Sequence, residues 1–84
     1  MKREIYITQK YLMIPVSISG ETTLVSFYTD NKKIYEFMIP MSTTDNCDPD
    51  YYAPLPVYKW KNQLITITGA VPSSFLEDIH LSEH

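Results

Sequence analysis

The chain has few of the residues on which several common kinds of chemistry depend. Its 84 residues include only two glycines, one cysteine, one tryptophan and two histidines. With Gly20 and Gly69 alone, no glycine-rich loop can be built to cradle a phosphate group. A single cysteine, Cys47, cannot form an intramolecular disulfide, and secreted domains of this size often carry disulfides. These shortages exclude a phosphate-binding loop and favour a reducing compartment.

Basic stripes and long apolar runs are also missing. The net charge is −3, and the seven Lys and Arg residues occur singly or in pairs, so no stripe exists to neutralise a phosphate backbone. No apolar run approaches the roughly 20 residues that span a bilayer, and the first residues lack the apolar segment of a signal peptide. We therefore expect no nucleic-acid partner, no membrane partner and, for the chain as given, a cytoplasmic location.

Composition and length predict one folded domain, residues 1–84. Hydrophobic residues make up 44% and charged residues 20%, which is typical of globular rather than disordered chains. A chain of this size has one core and buries about 60 to 65% of its unfolded surface. We place this core in about residues 5–70 and interpret residues 71–84 as a tail or linker. In that tail, Ser74 and Glu77 fit a capping box before one or two helical turns.

Alternating apolar residues predict β-strands over most of the chain. Residues 23–29 and 33–39 are predicted to form a hairpin, because Asp30, Asn31 and Lys32 between them tolerate turn geometry. Five side chains share the inner faces of its two arms: Val25, Phe27, Tyr35, Phe37 and Ile39.

Other strands are predicted on both sides of the hairpin. In residues 11–18, Pro15 points to an edge strand or a bulge. Residues 63–69 form the clearest strand pattern, whereas Pro54 and Pro56 remove backbone donors from the segment before it, which cannot be a regular central strand. About five short strands at even spacing predict an all-β fold, a small antiparallel β-sandwich or open barrel with a short C-terminal helical turn.

Reactive side chains form no recognisable catalytic pattern. His80 and His84 lie in the last five residues, where a free chain end would not hold them in the fixed geometry of acid–base catalysis. Cys47 has acidic neighbours, which raise the pKa of a thiol, and no histidine in the folded body to activate it. The sequence therefore predicts that the chain is not an enzyme.

The one carboxylate cluster consists of Asp45, Asp48 and Asp50. Calcium prefers alternating oxygen ligands, but this spacing lacks the Gly and the terminal Glu of an EF-hand loop. A glycosidase needs two carboxylates flanking the scissile bond, which neighbouring loop positions do not provide. We interpret this segment as a solvated, turn-forming loop and predict neither a metal site nor a cofactor.

Aromatic residues are the strongest candidates for a binding site. Residues 48–60 contain four of the eleven aromatics, namely Tyr51, Tyr52, Tyr58 and Trp60. Such rings stack on the C–H faces of sugars, while their hydroxyl and indole N–H groups add hydrogen bonds. Alternatively, Trp60 and one of the tyrosines close the open end of a small core. The exposure of Trp60 distinguishes the two interpretations.

The order of these features resembles a known family. The segments are KYLMIPV, VSFYTD, YEFMI, PDYYAPL and WKNQLITI, at residues 10–16, 25–30, 35–39, 49–55 and 60–67. Together they look like the small β-domain appended to the N-terminus of some bacterial glycoside hydrolase family 32 fructan hydrolases, relatives of levanase, inulinase and sucrose hydrolases. The resemblance covers about residues 5–70. This chain departs from it at Asn62, where Gly is expected, and at Tyr51 and Tyr52, where Phe-Trp is more typical.

The resemblance implies a non-catalytic accessory role. In the family, catalysis belongs to a separate five-bladed propeller with Asn-Asp-Pro-Asn, Arg-Asp-Pro and Glu-Cys segments, none of which this chain contains. The implied partners are a glycosidase catalytic domain, in cis or in trans, and fructan or sucrose as a weakly bound carbohydrate. The competing interpretation is a free-standing protein-interaction or structural β-domain that dimerises through an exposed strand edge.

Overall fold

The computed structural model describes residues 2–41 and 49–83, and it confirms an all-β fold of two antiparallel sheets with one short helix. The described strands are β1 (Lys2–Tyr6), β2 (Tyr11–Val16), β3 (Glu21–Thr29), β4 (Lys32–Met41), β5 (Tyr51–Pro56), β6 (Leu64–Gly69) and β7 (His80–Ser82). A 3₁₀ helix (Tyr58–Trp60) precedes β6, and α1 (Ser73–Asp78) precedes β7. The first sheet has the order β1-β6-β3-β4 and the second β5-β2-β7.

The hairpin of β3 and β4 is confirmed. Asp30 and Asn31 form its turn with positive φ angles of 51° and 64°, which these two residue types tolerate better than most. Phe27 pairs with Tyr35, but Tyr28 pairs with Lys33. One residue of β4, Ile34, is therefore extra, and this β-bulge bends the strand at the start of its aromatic stretch.

Pro15 lies in the central strand of the second sheet, so its predicted place at an edge or bulge is wrong. The Val57 N–H donates to the Lys10 carbonyl at 2.8 Å. Because backbone groups alternate in an antiparallel pair, the N–H and C=O groups of even-numbered β2 residues point toward β5. The backbone of Pro15 therefore points toward the side of β7. There the ladder has already ended at the pair of Met13 and His80, so the missing N–H of Pro15 costs no ladder hydrogen bond.

The two prolines of β5 occupy an edge strand, as their missing donors require. β5 pairs with β2 on one side only. The same alternation points the backbone groups of Leu55 toward β2 and those of Pro54 and Pro56 away from it. Neither proline interrupts the ladder, and the outer side of β5 loses two donors.

The core lies between the sheets and is built by the strand residues that alternate inward. Val25, Phe27 and Ile39 are buried as predicted, whereas Tyr35 is only partly buried and Phe37 is 39% exposed. A three-stranded sheet covers a four-stranded one incompletely, which leaves the outermost strand β4 partly open. The buried hydrophobic residues are Ile5, Ile7, Leu12, Ile14, Val16, Val25, Phe27, Ile39, Met41, Leu55, Val57, Ile65, Ile67, Val71, Phe75, Leu76 and Ile79.

The segment after residue 70 belongs to the fold, so the prediction of a tail or linker over residues 71–84 is wrong for its described part. The helical turn is present as α1, but its N-cap residue is Pro72, so the capping box of Ser74 and Glu77 does not form. Four residues in this segment enter the core: Val71, Phe75, Leu76 and Ile79. β7 then pairs with β2. Burial of these apolar groups outweighs the weak helical signal of so short a segment.

Arg3 joins the first strand to the last helix. Its guanidinium donates to the carbonyls of Leu76 and Ile79, the latter at 2.9 Å. Carbonyls at a helix C-terminus have no partner within the helix, and a cation there also interacts favourably with the helix dipole. One side chain from β1 therefore caps α1 and holds it against the core.

Candidate functional site

An aromatic cluster lies at the open side of the sandwich, where the edge of the first sheet meets the end of β5. Its three members are Tyr35, Phe37 and Trp60, which we call the aromatic rim. The rings of Tyr35 and Phe37 are stacked at 5.4 Å with 26° between their planes, and Trp60 meets Tyr35 edge-on at 5.6 Å. The buried ring of Phe27 lies beneath, 6.4 Å from Tyr35 and 6.3 Å from Phe37. These distances are typical of favourable aromatic pairs.

The β-bulge in β4 and the 3₁₀ helix position the rim. Tyr35 follows the bulge in β4, and its hydroxyl donates to the Pro56 carbonyl at 2.9 Å. Trp60 is held by the 3₁₀ helix, where its backbone N–H donates to the carbonyl of the fully buried Val57 at 2.9 Å. Asn62 then adopts a φ of 69°. This left-handed conformation is one that Asn tolerates, and it occurs where the resembling family carries Gly.

The rim is both part of the core and part of the surface. Trp60 and Tyr35 are partly buried and pack against the core cluster, whereas Phe37 keeps 39% of its surface exposed. Tyr58 belongs to the same 3₁₀ helix as Trp60 and is 56% exposed. The arrangement offers a fixed apolar surface, and an exposed tyrosine lies two residues before Trp60 in the chain. Such a surface can stack on a flat apolar group, and it presents little polar chemistry.

The four aromatic residues predicted from the sequence do not form one platform. Tyr51 and Tyr52 are adjacent on β5 and therefore point to opposite faces of the sheet. Tyr51 is 50% exposed, whereas the Tyr52 hydroxyl donates to the Asp78 carboxylate at 2.8 Å. Trp60, in the 3₁₀ helix, instead contacts Tyr35 of β4. The structure thus separates Tyr52 from Trp60.

Tyr35 and Phe37 are the site residues that sequence reasoning missed, because both were assigned to the inner surface of the hairpin. Their spacing of two residues puts them on the same face of β4, as predicted. What the pattern does not show is that β4 is an edge strand and that Trp60 contacts it from the 3₁₀ helix between β5 and β6. Aromatic residues at i and i+2 on a strand that carries a proline near its end, here Pro40, are the available signal.

A second cluster joins β5, α1 and β7 through Tyr52, Asp78 and His80. The rings of Tyr52 and His80 meet edge-on at 5.0 Å, and the Nδ1 atom of His80 lies 3.1 Å from the Asp78 carbonyl oxygen. His80 is paired with Met13 in the sheet, so the interpretation of this histidine as part of a free chain end is wrong. Asp78 accepts from Tyr52, and the cluster ties the end of α1 to the second sheet.

The predicted acidic loop is described only in part. Asp45, Cys47 and Asp48 lie outside the described residues. The Asp50 carboxylate accepts the backbone N–H of Ile18 at 2.7 Å, so this residue stabilises the turn after β2. Within residues 2–41 and 49–83, no group of three or more His, Cys, Asp or Glu is arranged to hold a metal ion.

Lys33 and Glu36 form an exposed ion pair on β4. The Lys33 ammonium lies 2.6 Å from the Glu36 carboxylate, which also accepts the hydroxyl of Ser26 at 3.0 Å. The hydrogen bond from Lys33, followed by that from Ser26, holds the pKa of Glu36 below its ordinary value. The same hydrogen bond raises the pKa of Lys33. The charge of Glu36 is therefore compensated within its own chain.

The outer face of the first sheet carries exposed apolar pairs and a shallow groove. Leu24 pairs with Met38 across β3 and β4, and Tyr6 pairs with Leu64 across β1 and β6. A groove of about 440 Å³ lies near the hairpin turn. It is lined by Lys2, Tyr28, Thr29, Asp30, Asn31, Leu64 and Thr66. Its mixed lining lacks the apolar enclosure of a typical small-molecule site.

Comparison with known proteins finds nothing similar: no family model, no curated protein and no solved structure matches this chain. The resemblance to the hydrolase-associated domain therefore stays a prediction. Among the described residues, no helix has the length and apolar character needed to cross a membrane.

Proposed function

We propose that this chain is a non-catalytic accessory domain of a fructan- or sucrose-degrading glycosidase. It packs beside the catalytic domain, in cis or in trans, and contributes weak carbohydrate contacts through the aromatic rim. The observation that carries the proposal is the row of Trp60, Tyr35 and Phe37, in which two partly buried rings continue to the exposed ring of Phe37. The order of motifs in the sequence supports the choice of parent enzyme.

The rim suits a sugar ring better than a polar ligand. Sugars present C–H faces that stack on aromatic rings, and their hydroxyls bind to tyrosine or tryptophan at the edges. The Tyr35 hydroxyl already donates to the Pro56 carbonyl, so the exposed tyrosine nearest in sequence to Trp60 is Tyr58. With so few polar groups and no enclosing walls, affinity is expected to be low.

Intrinsic fluorescence provides the test, because Trp60 is the only tryptophan. Titration with levan, inulin and sucrose should give a saturable shift in Trp60 emission with at least one of them. Phe37→Ala should abolish the shift, whereas Tyr51→Ala, an exposed aromatic away from the rim, should leave it unchanged. Calorimetric titration of Trp60→Ala, which has no tryptophan emission to follow, should show lost binding.

The outcomes are distinguishable. A shift that survives Phe37→Ala but disappears in Tyr51→Ala would move the sugar site to β5. The absence of any shift and any heat with all three sugars would reject the carbohydrate part of the proposal. Circular dichroism of each variant should match the wild type, so that a loss of binding is not a loss of fold.

A second candidate function is that of a free-standing protein-interaction or structural β-domain. The observation that favours it is the edge strand β4, which spans ten residues and has no neighbouring strand on its outer side among the described strands. Such a domain would associate through this edge, and added sugars would change neither its association nor its fluorescence.

A further inference from the structure

The described fold has four strand edges, and three of them are protected against pairing with another chain. Edge strands are usually protected by prolines, charges or short length. β5 directs Pro54 and Pro56 outward, β7 has three residues, and β1 carries the exposed charges of Lys2 and Glu4. The remaining edge is β4.

The hydrogen-bond pattern defines which groups of β4 face outward. The Ile7 N–H donates to the Gln63 carbonyl at 2.9 Å. The backbone N–H and C=O groups of odd-numbered β6 residues therefore point toward β1, and those of even-numbered residues point toward β3. Continued through β3, the alternation directs the backbone groups of Phe37 and of the other odd-numbered residues after the bulge, Tyr35, Ile39 and Met41, toward β3. The Ser17 N–H donates to the Pro40 carbonyl at 2.9 Å. This bond independently shows that the backbone groups of even-numbered residues in this part of β4 point to the outer side.

The open part of this edge is short and symmetric. Pro40 closes one end, because it has no N–H and its carbonyl already accepts from Ser17. The bulge at Ile34 closes the other end. Between them, Glu36 and Met38 each direct an N–H and a carbonyl outward, and within the described part of the chain neither has a backbone partner on that side. These four groups are arranged evenly about Phe37.

The side chains beside this window leave it unprotected on both faces. On the outer face Met38 is 59% exposed and its pair Leu24 is 47% exposed, while Phe37 is exposed on the inner face. The only charge in the window belongs to Glu36, which is bound by Lys33 of its own chain. An apolar edge of this kind is a site for strand addition.

We propose that β4 pairs antiparallel with β4 of a second copy of this chain, with the two-fold axis at Phe37. Glu36 of each copy then lies opposite Met38 of the other, and the two residues exchange both backbone hydrogen bonds. Symmetry doubles this to four bonds, and an isologous interface needs a self-complementary surface of this kind. Phe37 faces its own symmetry mate, and the four-stranded sheets join into one of eight strands.

The neighbouring registers are less favourable. A shift that centres the axis on Glu36 puts two carboxylates opposite each other, which destabilises a strand pair. A shift that centres it on Met38 puts Glu36 opposite Pro40, which has no N–H to donate and a carbonyl that is already occupied. Only the axis at Phe37 uses all four outward groups without like charges in contact.

The interface is small, so the dimer is weak and its population depends on concentration. Three residues of strand and their side chains bury less surface than the roughly 1,600 Å² of a standard interface. The inference rests on the second candidate function, and its experiments contain no sugar. Failure of sugar binding therefore leaves it standing, and failure of dimerisation leaves sugar binding standing.

Sedimentation over a wide concentration range provides the first test. The wild-type mass should rise from that of one chain toward that of two. Met38→Pro removes the outward N–H at a position of the same orientation as Pro40 and should keep the chain monomeric over that range. Met38→Ala, which removes the side chain but keeps the N–H, should retain concentration-dependent dimerisation.

A cross-linking test checks the register without relying on a proline variant. In a Cys47→Ser background, Phe37→Cys places two cysteines at a non-hydrogen-bonded pair with Cα atoms about 4.5 Å apart, within disulfide range. It should form a covalent dimer at least tenfold faster than Leu24→Cys on the adjacent strand. A wild-type chain that stays monomeric at millimolar concentration, or equal cross-linking at both positions, would overturn the proposal.

Discussion

The hydroxyl of Tyr35 donates a hydrogen bond to the carbonyl of Pro56 at 2.9 Å, connecting the outermost strand of one sheet to the edge strand of the other. The same tyrosine contacts Phe37 on one side and Trp60 on the other. Tyr35 is thus the one member of the aromatic rim that holds both sheets, and the shape of the rim depends on it.

Replacing Tyr35 by Phe should weaken the fold slightly and loosen the rim. The ring contacts remain, but the Pro56 carbonyl loses its donor, which is expected to cost about 0.5 to 1.5 kcal/mol. Because this hydrogen bond is exposed, the cost should fall near the lower limit. Urea unfolding measures this loss in the free energy of unfolding. The control is Tyr58→Phe, which removes an exposed hydroxyl on the 3₁₀ helix and should change the free energy of unfolding by less. Equal effects would show that the bond to Pro56 contributes nothing.

Arg3→Met should destabilise the packing of α1. Methionine keeps an apolar stem in place but removes the donors to the Leu76 and Ile79 carbonyls, and hydrogen bonds from a charged group are worth about 1.5 to 3 kcal/mol. Amide exchange in residues 73–79 should accelerate more than exchange in β3. Lys2→Met, the exposed neighbour on the opposite face of β1, should have almost no effect, and a loss of the same size there would argue against the capping role.

The pair of Lys33 and Glu36 should make stability depend on pH in two ranges. The pKa of Glu36 is lowered by its hydrogen bonds from Lys33 and Ser26, so its contribution is present above the unfolded pKa of about 4.3 and is lost as pH falls through the folded pKa. The pKa of Lys33 is raised, so its contribution is present below its unfolded pKa and is lost as pH rises through the folded pKa.

NMR titration of the Glu36 carboxylate tests this directly. Lys33→Met should raise the pKa of Glu36, and Ser26→Ala should raise it by a smaller amount, in the order of the two causes. In urea unfolding, Glu36→Gln should differ from the wild type at neutral pH, and the difference should disappear in acid. A pKa of Glu36 that is the same with and without Lys33 would disprove the coupling.

Gly20→Ala should be costly for steric reasons. A Cβ atom at Gly20 would lie inside van der Waals contact of the Met41 carbonyl oxygen and carbon, which are backbone atoms that cannot rotate away. Overpacking of this kind typically costs about 1 to 3 kcal/mol. Ser19→Ala in the same turn serves as the control, because Ser19 is exposed and the change should stay within about 0.5 kcal/mol.

Local patterns predict the parts of this fold that are local. The β3–β4 hairpin and its Asp30–Asn31 turn follow from alternation and turn chemistry, and so does the edge position of the strand with Pro54 and Pro56. The sequence pattern does not predict β1, although Ile5 and Ile7 alternate with Glu4 and Tyr6, because two apolar residues make a weak pattern.

The remainder depends on contacts between distant segments. β7 has three residues, too few to show a period, and its pairing with β2 brings together positions almost 70 apart. This pairing allows Pro15 in a central strand and makes His80 part of a sheet. The aromatic rim needs the same information, since Trp60 of the 3₁₀ helix contacts Tyr35 of β4, 25 positions earlier in the chain. Alternation says which residues share a face, and it does not say which faces meet.

The pairing of β2 also constrains when the protein can fold during its synthesis. β2 needs β5 and β7 as neighbours, and β1 needs β6, so β2 has no partner strand until β5 leaves the ribosome and β1 has none until β6 does. At about 5 to 20 residues per second, this leaves the apolar faces of β1 and β2 unpaired for several seconds. Of the described strand pairs, only β3 with β4 joins strands adjacent in the chain. The nascent chain can therefore form the β3–β4 hairpin early, but it completes the fold only after synthesis of residue 82. Until then the apolar residues of β1 and β2 are available for a chaperone to bind.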